Sequence, residues 1–151
     1  MSKDIKKFLD FHREKGGTGK LFNFKFINYQ KGFLELSGEF NDLSLNPDGS
    51  VQGGMMTSML DDVTALLLIY ESNGTLYPSS TDLHTLHHRP LFRGTVTAKA
   101  FLLKKGRNIA TVRGELFNQD NKLITTLVHT VFLIDREITH KKSPPKRALK
   151  V

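Results

Sequence analysis

Hydrophobic residues along the chain form one long apolar run with shorter alternating runs on either side. Residues 51–70 are apolar at most positions without the alternation of a strand, and the run is too long for one ordinary strand. Turn-forming sequences at residues 46–49 and 72–74 bound it. The pattern predicts a helix that is apolar on nearly every side, and such a helix is buried.

The shorter runs alternate between apolar and polar residues, as β-strands do. Two precede the helix and four follow it, at residues 21–29, 33–40, 79–89, 95–104, 109–117 and 123–134. Short connections between the last four predict antiparallel neighbours, and the phenylalanines of the first strand are expected to face the core. The order of elements predicts an α+β fold in which one antiparallel sheet wraps around the helix. Because a sheet covers only one side, we also expect a second subunit to contact this helix.

The two ends of the chain differ from the body. Residues 4–15 have helical spacing and precede Gly16 and Gly17, so residues 1–17 are predicted to be a helix packed on a single domain of residues 1–135. Residues 136–151 carry six Lys or Arg and one Glu, and so hold +5 of the net charge of +7. We expect a basic, flexible tail that only solvates, with no nucleic-acid partner; a contact with an anionic partner is the alternative.

Composition removes several functional classes. The chain has no cysteine, which excludes disulfides, thiolate metal sites and a cysteine nucleophile. No apolar segment of a signal peptide follows Met1, and two carboxylates interrupt the long apolar run, so we expect no membrane partner. These features are compatible with a protein of the reducing cytoplasm.

Those two carboxylates, Asp61 and Asp62, are the candidate catalytic groups, because a buried carboxylate needs a partner or a chemical purpose. Successive helical residues point about 100° apart, so only one of the pair is expected to face a given cavity. Eight residues earlier, Gly53 and Gly54 place backbone amides at the helix start, where an oxyanion could bind. The alternative is that the carboxylates are a surface group and a structural one, and that the glycines only form a tight turn.

Histidines cluster in the third predicted strand, at His84, His87 and His88. On a strand His84 and His88 share a face but lie about 13 Å apart, too far to hold one metal ion, and His87 points to the other face. We therefore predict no metal site from this run alone, although a site assembled between two chains stays open. His84 is expected to border the pocket, and His129 is expected to be structural.

A known family shares the spacing of these groups. Asn46-x-x-Gly49-x-x-Gln52-Gly53-Gly54, followed by the two aspartates, resembles the signature of hotdog-fold acyl-CoA thioesterases of the phenylacetate-pathway (PaaI-like) subfamily. Segments 80–84, 89–94 and 105–107 are similar to the pattern of the same family, so the likeness covers about residues 20–135. It implies the hotdog fold, a homo-oligomer (a dimer or a dimer of dimers), and hydrolysis of a small-to-medium acyl or aryl thioester. No cofactor is implied beyond the coenzyme A of the substrate.

The resemblance also implies roles for individual residues. Asp61 is the catalytic acid, as general base or nucleophile, and the Gly53 amide polarises the thioester carbonyl. Asn46 positions the thioester or water, and Ser80 orients the water and reaches Asp61 across the dimer interface. Contacts with the substrate are expected from Gln52, Gly54, Asp62, His84, Lys105 and Arg107. Gln52 stands where many members have His, so it can donate a hydrogen bond but cannot titrate.

Two other functions stay open from the sequence. One is a non-catalytic acyl-CoA-binding protein on the same scaffold, which would not need Asp61. The other is a nucleic-acid-binding module led by the basic tail, whose binding would depend steeply on salt. A hotdog dehydratase is less favoured, because the sequence shows no matching arrangement of a histidine and an acid.

Overall fold

Three helices and six strands make up the part of the chain that the structure, a computed structural model, describes: residues 2–136. In order they are α1 (Ser2–Lys15), α2 (Gly17–Phe22), β1 (Lys25–Gln30), β2 (Phe33–Phe40), α3 (Gly53–Glu71), β3 (Leu76–His87), β4 (Gly94–Lys105), β5 (Ile109–Phe117) and β6 (Leu123–Asp135). A short 3-10 turn, Asp42–Ser44, follows β2. The predicted central helix and six strands are all present, and the largest shift is at the start of β1.

A single antiparallel sheet in the order β1–β2–β4–β5–β6–β3 surrounds α3. The alternation of β2 shows why one face of the sheet packs on the helix. Leu34, Leu36 and Phe40 point to that face and are buried, and the residues that alternate with them are partly exposed. α3 packs on β2, β3, β4, β5 and β6, and its last turn also meets β1, where the Tyr29 hydroxyl donates to Glu71 at 3.3 Å and the Tyr29 ring lies edge-on to Tyr70. The predicted α+β architecture, with the sheet wrapped around the long helix, is confirmed.

α3 is covered within one chain. Buried side chains occur on every side of it (Met56, Met59, Leu60, Val63, Thr64, Leu66, Leu67, Leu68), and no residue of α3 after Gly54 is exposed. α1 and α2 contact the helix in addition to the sheet, with Ile5, Leu9 and Phe22 in the same core. The N-terminal helices of the chain therefore supply cover for α3 that the sequence analysis did not count, and the expected contact of a second subunit with this helix stays a prediction.

The start of the first predicted strand is wrong, because residues 21 and 22 belong to α2. α2 packs closely on α1: a Cβ atom at Gly19 would lie 1.8 Å from the carbonyl oxygen of His12. This long-range contact decides the local structure, whereas the alternation at residues 21–29 is a local signal. Phe22 and Phe24 face the core as expected, but Phe26 is 38% exposed on the edge strand β1.

The connection between β3 and β4, residues 88–93, is short but does not join neighbouring strands. β3 pairs with β6 at one edge of the sheet, and β4 lies between β2 and β5. The connection runs past the start of α3, where the Val51 amide donates to the Leu91 carbonyl at 2.8 Å. The predicted antiparallel neighbours are confirmed for β4–β5 and β5–β6 and wrong for β3–β4, because both edges of β4 are already paired.

The ends of the described chain bear on two of the expectations. β6 ends at Asp135, one residue before the predicted basic tail, and residues 137–151 of that tail lie outside the described residues. Across residues 2–136, none of the helices combines the length and the apolar character that a bilayer span requires.

The α1–α2 contact can be tested with two glycines of α2. Gly19→Ala is expected to lower the free energy of unfolding by about 1–3 kcal/mol, because the added methyl group meets the backbone of α1. Gly17→Ala has no atom within 4 Å of its added methyl group, so we expect a neutral or slightly stabilising change of up to about 1 kcal/mol. Urea unfolding of both variants makes the comparison, and equal effects would contradict this packing.

Candidate active site

The two adjacent carboxylates of α3 face different partners. Asp61 Oδ1 lies 3.3 Å from the hydroxyl of Ser80 on β3, whereas Asp62 Oδ2 lies 3.3 Å from Nε2 of His12 on α1. Their side chains are 35% and 20% exposed, respectively. This confirms that only one of the pair faces a given surface, and it leaves Asp61 as the more accessible carboxylate.

Asp61 belongs to a hydrogen-bonded group, here called the Asp61 cluster, with Ser80, His129 and Thr64. The Ser80 hydroxyl lies 2.8 Å from His129 Nε2, and that nitrogen lies 3.5 Å from Asp61 Oδ1. On its other side, His129 Nδ1 lies 2.7 Å from the Thr64 hydroxyl. The cluster thus joins α3 to β3 and β6 through side chains on one face of the sheet.

Strand pairing explains how Ser80 reaches this cluster. Ser80 lies opposite Val131 of β6, and His129 lies two residues from Val131, so all three face the same side of the sheet. A register shift between Ser80 and Asp82 marks a bulge, a feature that re-aims side chains. The expectation that Ser80 reaches Asp61 across a dimer interface is corrected here: the two residues meet within one chain.

The environment shifts the proton affinities of this cluster. Burial raises the pKa of the Asp61 carboxyl above its ordinary value of 3.8; the nearby His129 opposes the rise, Asp62 adds to it, and the Ser80 hydrogen bond opposes it. Burial of the His129 ring lowers its pKa, against the pull of Asp61 and Asp82. A carboxylate of raised proton affinity is suited to take a proton from water.

His129 was not predicted as a functional residue. It is fully buried, which fits the structural role expected for it, but it also contacts the Ser80 hydroxyl and lies beside Asp61. Its position depends on the pairing of β3 with β6, which the short connections of the sequence did not indicate. Only the order of the strands in the sheet would have indicated that His129 lies beside Ser80.

The start of α3 presents backbone amides. Gly53 and Gly54 are the first two helical residues, so their N–H groups have no partner inside the helix. The Gln52 side chain caps the helix by accepting from the Met55 amide at 2.9 Å, and a Cβ atom at Gly54 would lie 2.9 Å from that side-chain oxygen. Gln52 oxygen is therefore used in the cap, and the predicted substrate contacts of Gln52 and Gly54 stay predictions.

His87 is a second residue that the sequence analysis did not place in the site. Its Nε2 would lie 3.1 Å from a Cβ atom at Gly53, and its Nδ1 lies 3.0 Å from the Thr125 hydroxyl. Burial, followed by the neighbouring His88, lowers the pKa of the His87 ring. An imidazole of β3 therefore lies against the first residue of α3.

Asn46 organises the turn that leads into α3. Its side-chain amide donates to the Ser50 hydroxyl at 2.7 Å, and its side-chain oxygen accepts from the amides of Asp48 and Ser50 at 3.0 and 3.2 Å. A carboxamide has a second N–H group, which leaves one donor for another acceptor. The role of Asn46 toward a thioester or water stays a prediction.

Three predicted substrate contacts are exposed in the single chain. His84 alternates on β3 with Thr85, which faces α3, so the His84 side chain lies on the other face of the sheet. Lys105 and Arg107 are exposed in the β4–β5 hairpin. This hairpin lies near the β1–β2 turn, whose Gly32 bonds to β4 and to Glu71, the last residue of α3, at the opposite end of the helix from Gly53. One chain therefore does not bring these residues to the start of α3, and their contacts with a substrate stay predictions.

Asp61 and Gly53 are themselves separated by two turns of α3. Eight residues at 1.5 Å rise place their backbones about 12 Å apart along the helix axis. Between them, the Thr57 hydroxyl donates to the Thr85 hydroxyl of β3 at 3.1 Å. In one chain, this contact with β3 occupies the helix face that connects the two groups.

Other features of the described residues do not locate the chemistry. Within residues 2–136, no group of three His, Cys, Asp or Glu residues is placed to hold a metal ion. A cavity of about 1150 Å³ lies between α1, the C-terminal half of α3 and the start of β3, and Phe8, Phe11, Leu66 and Ile69 are among the residues that line it. Asp61 is not part of its lining.

The chain is similar to members of the thioesterase superfamily. The sequence model of the thioesterase superfamily matches residues 48–125. A phenylacetic acid degradation-related protein of Ralstonia eutropha JMP134 is 32% identical, with 85% of this chain and 98% of that chain covered and a TM-score of 0.76. PaaI of Escherichia coli, from the phenylacetic acid degradation operon, is 22% identical over 88% of this chain and 95% of that one, with a TM-score of 0.75.

A third structure has a ligand. The smu.793 protein of Streptococcus mutans UA159, solved with acetyl-CoA, is 20% identical, and the match covers 75% of this chain and 90% of that chain with a TM-score of 0.68. The chain belongs to the thioesterase superfamily, in its PaaI-like hotdog branch. This membership confirms the hotdog fold and places the chain among thioester hydrolases.

The raised proton affinity of Asp61 predicts a pH-dependent effect on stability. Below its ordinary pKa of 3.8 the carboxyl is protonated in both folded and unfolded chains, so burial has no ionic cost. As pH rises through the higher folded-state pKa, ionisation destabilises the folded protein. Asp61→Asn never ionises, so its thermal midpoint should exceed that of the wild type at about pH 7, with a difference that shrinks toward about pH 4.

Asp62→Asn is the matched control, because its carboxylate pairs with His12 on the other side of α3. We expect no gain in its thermal midpoint. If Asp61→Asn had a lower midpoint than the wild type at every pH, or a difference independent of pH, the buried, raised-pKa state of Asp61 would be wrong.

Proposed function

We propose that the protein is an acyl-CoA thioesterase that hydrolyses a small-to-medium acyl or aryl thioester to the free acid and CoA. The observation that carries the proposal is the Asp61 cluster, in which a half-buried carboxylate of raised pKa lies 3.3 Å from the Ser80 hydroxyl. Membership of the thioesterase superfamily supports the hydrolysis of a thioester. The acetyl-CoA complex of the Streptococcus mutans protein supports CoA as the carrier.

Two relatives support an aryl substrate class. The Ralstonia eutropha protein and Escherichia coli PaaI are both linked by name to phenylacetic acid degradation. Hydrolysis of such a thioester would release the aromatic acid as its carboxylate. No cofactor enters the proposed reaction other than the coenzyme A of the substrate.

In the proposed reaction Asp61 activates the water and the Gly53 amide binds the carbonyl oxygen. Ionised Asp61 takes a proton from water as the water oxygen bonds to the thioester carbon, and the carbonyl oxygen becomes an oxyanion on the Gly53 amide. The carbon–sulfur bond then breaks and CoA leaves as the thiolate. Direct attack by Asp61 gives a mixed anhydride that water hydrolyses to the same products. Ser80 orients the water, and Asn46 contacts the thioester or the water.

We infer that the complete site requires two copies of the chain. Within one chain Asp61 and Gly53 are two helical turns apart, and the Thr57–Thr85 bond lies between them. Gly53 of one copy and Asp61 with Ser80 of another would act on the same thioester. The phosphates of CoA would then meet Lys105 and Arg107, whose long cationic side chains are exposed in the β4–β5 hairpin.

The edge strand β3 supports such an assembly. Within residues 2–136, β3 pairs with β6 along one edge and with no strand along the other, and its side chains include the exposed Tyr77, Leu83 and Leu86. An exposed edge with apolar side chains is a template for pairing with another chain. The proposed homo-oligomer, a dimer or a dimer of dimers, would therefore form along the same strand that holds Ser80.

Thiol release from a panel of acyl- and aryl-CoA esters tests the reaction. Wild-type protein is expected to release free CoA, and Asp61→Asn is expected to lower kcat by about 100-fold or more, because the neutral amide cannot take a proton. Turnover of Asp62→Asn should survive, since that carboxylate faces α1. The ester with the highest kcat/KM would identify the acyl group.

Other results of this assay would change the assignment. A loss of turnover with Asp62→Asn alone would mean that the wrong carboxylate was chosen. Folded wild-type protein that binds CoA ligands but releases no thiol from any ester would contradict the hydrolase and leave the non-catalytic acyl-CoA-binding protein.

Mixing two inactive variants tests the shared site. Gly53→Pro removes the N–H of the first helical residue, where proline is tolerated, and Gln52 already has the extended ψ of 133° that a following proline needs. When Gly53→Pro and Asp61→Asn chains are refolded together, half of the random dimers contain one of each. Each mixed dimer has one intact shared site, so about a quarter of wild-type activity should return.

Gly53→Ala is the control for the proline variant, because it adds the same Cβ atom beside His87 and keeps the N–H. It should retain more activity than Gly53→Pro, and the difference measures the contribution of the amide. If the mixture of Gly53→Pro and Asp61→Asn stays inactive although the chains exchange, both groups act within one chain.

A further inference from the structure

His129 is a buried titratable group that the proposed reaction does not yet use. Its side chain has no exposure to solvent, and each ring nitrogen lies within 2.8 Å of a hydroxyl, Thr64 on one side and Ser80 on the other. A ring buried to this degree with two short hydrogen bonds has a fixed orientation. The question is which of its nitrogens carries a proton.

The Thr64 hydroxyl answers that question. Its oxygen lies 2.7 Å from the Leu60 carbonyl and 3.0 Å from the Asp61 carbonyl, and both of these oxygens can only accept. Two oxygens 2.7 Å apart need a proton between them, so we assign the Thr64 proton to the Leu60 carbonyl and the ring proton to Nδ1, which then donates to the Thr64 oxygen. In the neutral ring, a proton on Nδ1 leaves Nε2 as an acceptor.

Burial of the ring favours this neutral form over the charged one, against the effect of two nearby carboxylates. Asp61 of α3 and Asp82 of β3 are the charges that raise the pKa of His129, and burial opposes them with the larger effect, so the pKa is lowered. Asp62 acts on the same cluster only by raising the pKa of Asp61. On β5, the residue opposite His129 is Val112, which carries no charge.

A neutral ring with a bare Nε2 determines the direction of the Ser80 hydroxyl. Ser80 has one proton and two neighbouring acceptors, His129 Nε2 at 2.8 Å and Asp61 Oδ1 at 3.3 Å. The shorter contact is the stronger, so the Ser80 proton lies mainly toward Nε2, and the hydrogen bond to Asp61 that lowers the Asp61 pKa is the weaker of the two. The Ser80 oxygen then faces the site as an acceptor, beside a carboxylate that is also an acceptor.

We propose that His129 is a positioning residue of the hydrolytic reaction, which holds the Ser80 proton so that the Ser80 oxygen accepts a hydrogen bond from the attacking water. That water donates one proton to Asp61 and the other to Ser80, and its lone pair is left to attack the thioester carbon. The inference rests on the proposed hydrolysis and on Asp61 as its base. His129 itself touches neither the water nor the substrate.

A double-mutant cycle between His129 and Ser80 tests this role. His129→Asn keeps a donor near the Nδ1 position for Thr64 but does not reach Ser80, and we expect kcat to fall by about 10-fold, the worth of one hydrogen bond, with KM changed by less than about 2-fold. His129→Gln can place an acceptor near Ser80 and should recover part of kcat. In the Ser80→Ala background, His129→Asn should lower kcat no further.

The pH dependence gives a readout that a purely structural residue would not change. Loss of the His129 ring removes an influence that lowers the Asp61 pKa, so the substitution alone raises that pKa. Where Ser80 is present, its freed hydroxyl turns to Asp61, stabilises the ionised form and opposes this rise. The acid limb of the kcat profile should therefore move to higher pH when His129→Asn is made in the Ser80→Ala background, and it should lie at lower pH relative to that shift when Ser80 is present. Titration of the Asp61 carboxyl by NMR reports the same shift without any substrate.

Several results would overturn the proposal. His129→Asn could lower kcat by the same factor with and without Ser80, or shift the Asp61 titration equally in both backgrounds while the wild type turns over normally; either result would refute the role of His129 alone. Absence of thiol release from the wild type would instead refute the proposed reaction, and the role of His129 with it. If His129→Asn does not fold, Thr64→Val removes the acceptor of the Nδ1 proton, and the same cycle with Ser80→Ala applies.

Discussion

The enclosure of α3 is the constraint on which the candidate site depends. The sheet and two N-terminal helices contact this helix, so a carboxylate on it must have partners, because an unpaired buried charge costs several kcal/mol. Asp61 meets the requirement with a solvent-facing edge, the Ser80 hydroxyl and the adjacent His129 ring. The packing that stabilises the fold is therefore also what raises the proton affinity of the carboxylate.

The same constraint separates two residues that the sequence presents as a pair. Asp62 is turned by one helical step toward α1 and lies 3.3 Å from His12. The orientation of α1 in turn depends on α2, which fits against the His12 backbone only because residue 19 is glycine. Removing Asp62 from the β3 side of the helix leaves a single carboxylate beside Ser80, and a single base is what the proposed hydrolysis needs.

Local patterns predicted the elements of this fold, whereas non-local contacts decided what they missed. The apolar run of α3 and the alternation of β2 are local, and both helix and strand lie where the pattern placed them. The pairing of β3 with β6 is not local. The connection 88–93 is as short as that of a hairpin, and it predicted pairing of β3 with β4 instead. His129 and His87 enter the site through that pairing, so their positions were outside the reach of periodicity.

The glutamine at the start of α3 shows how a departure from a family pattern can be understood from the structure. The Gln52 oxygen accepts from the Met55 amide and caps the helix, a role that needs an acceptor but no titratable group. The His87 ring, which arrives from β3, lies against Gly53 at the same end of the helix. An imidazole is therefore present at this helix start although residue 52 is not histidine, and the sheet topology rather than the motif supplies it.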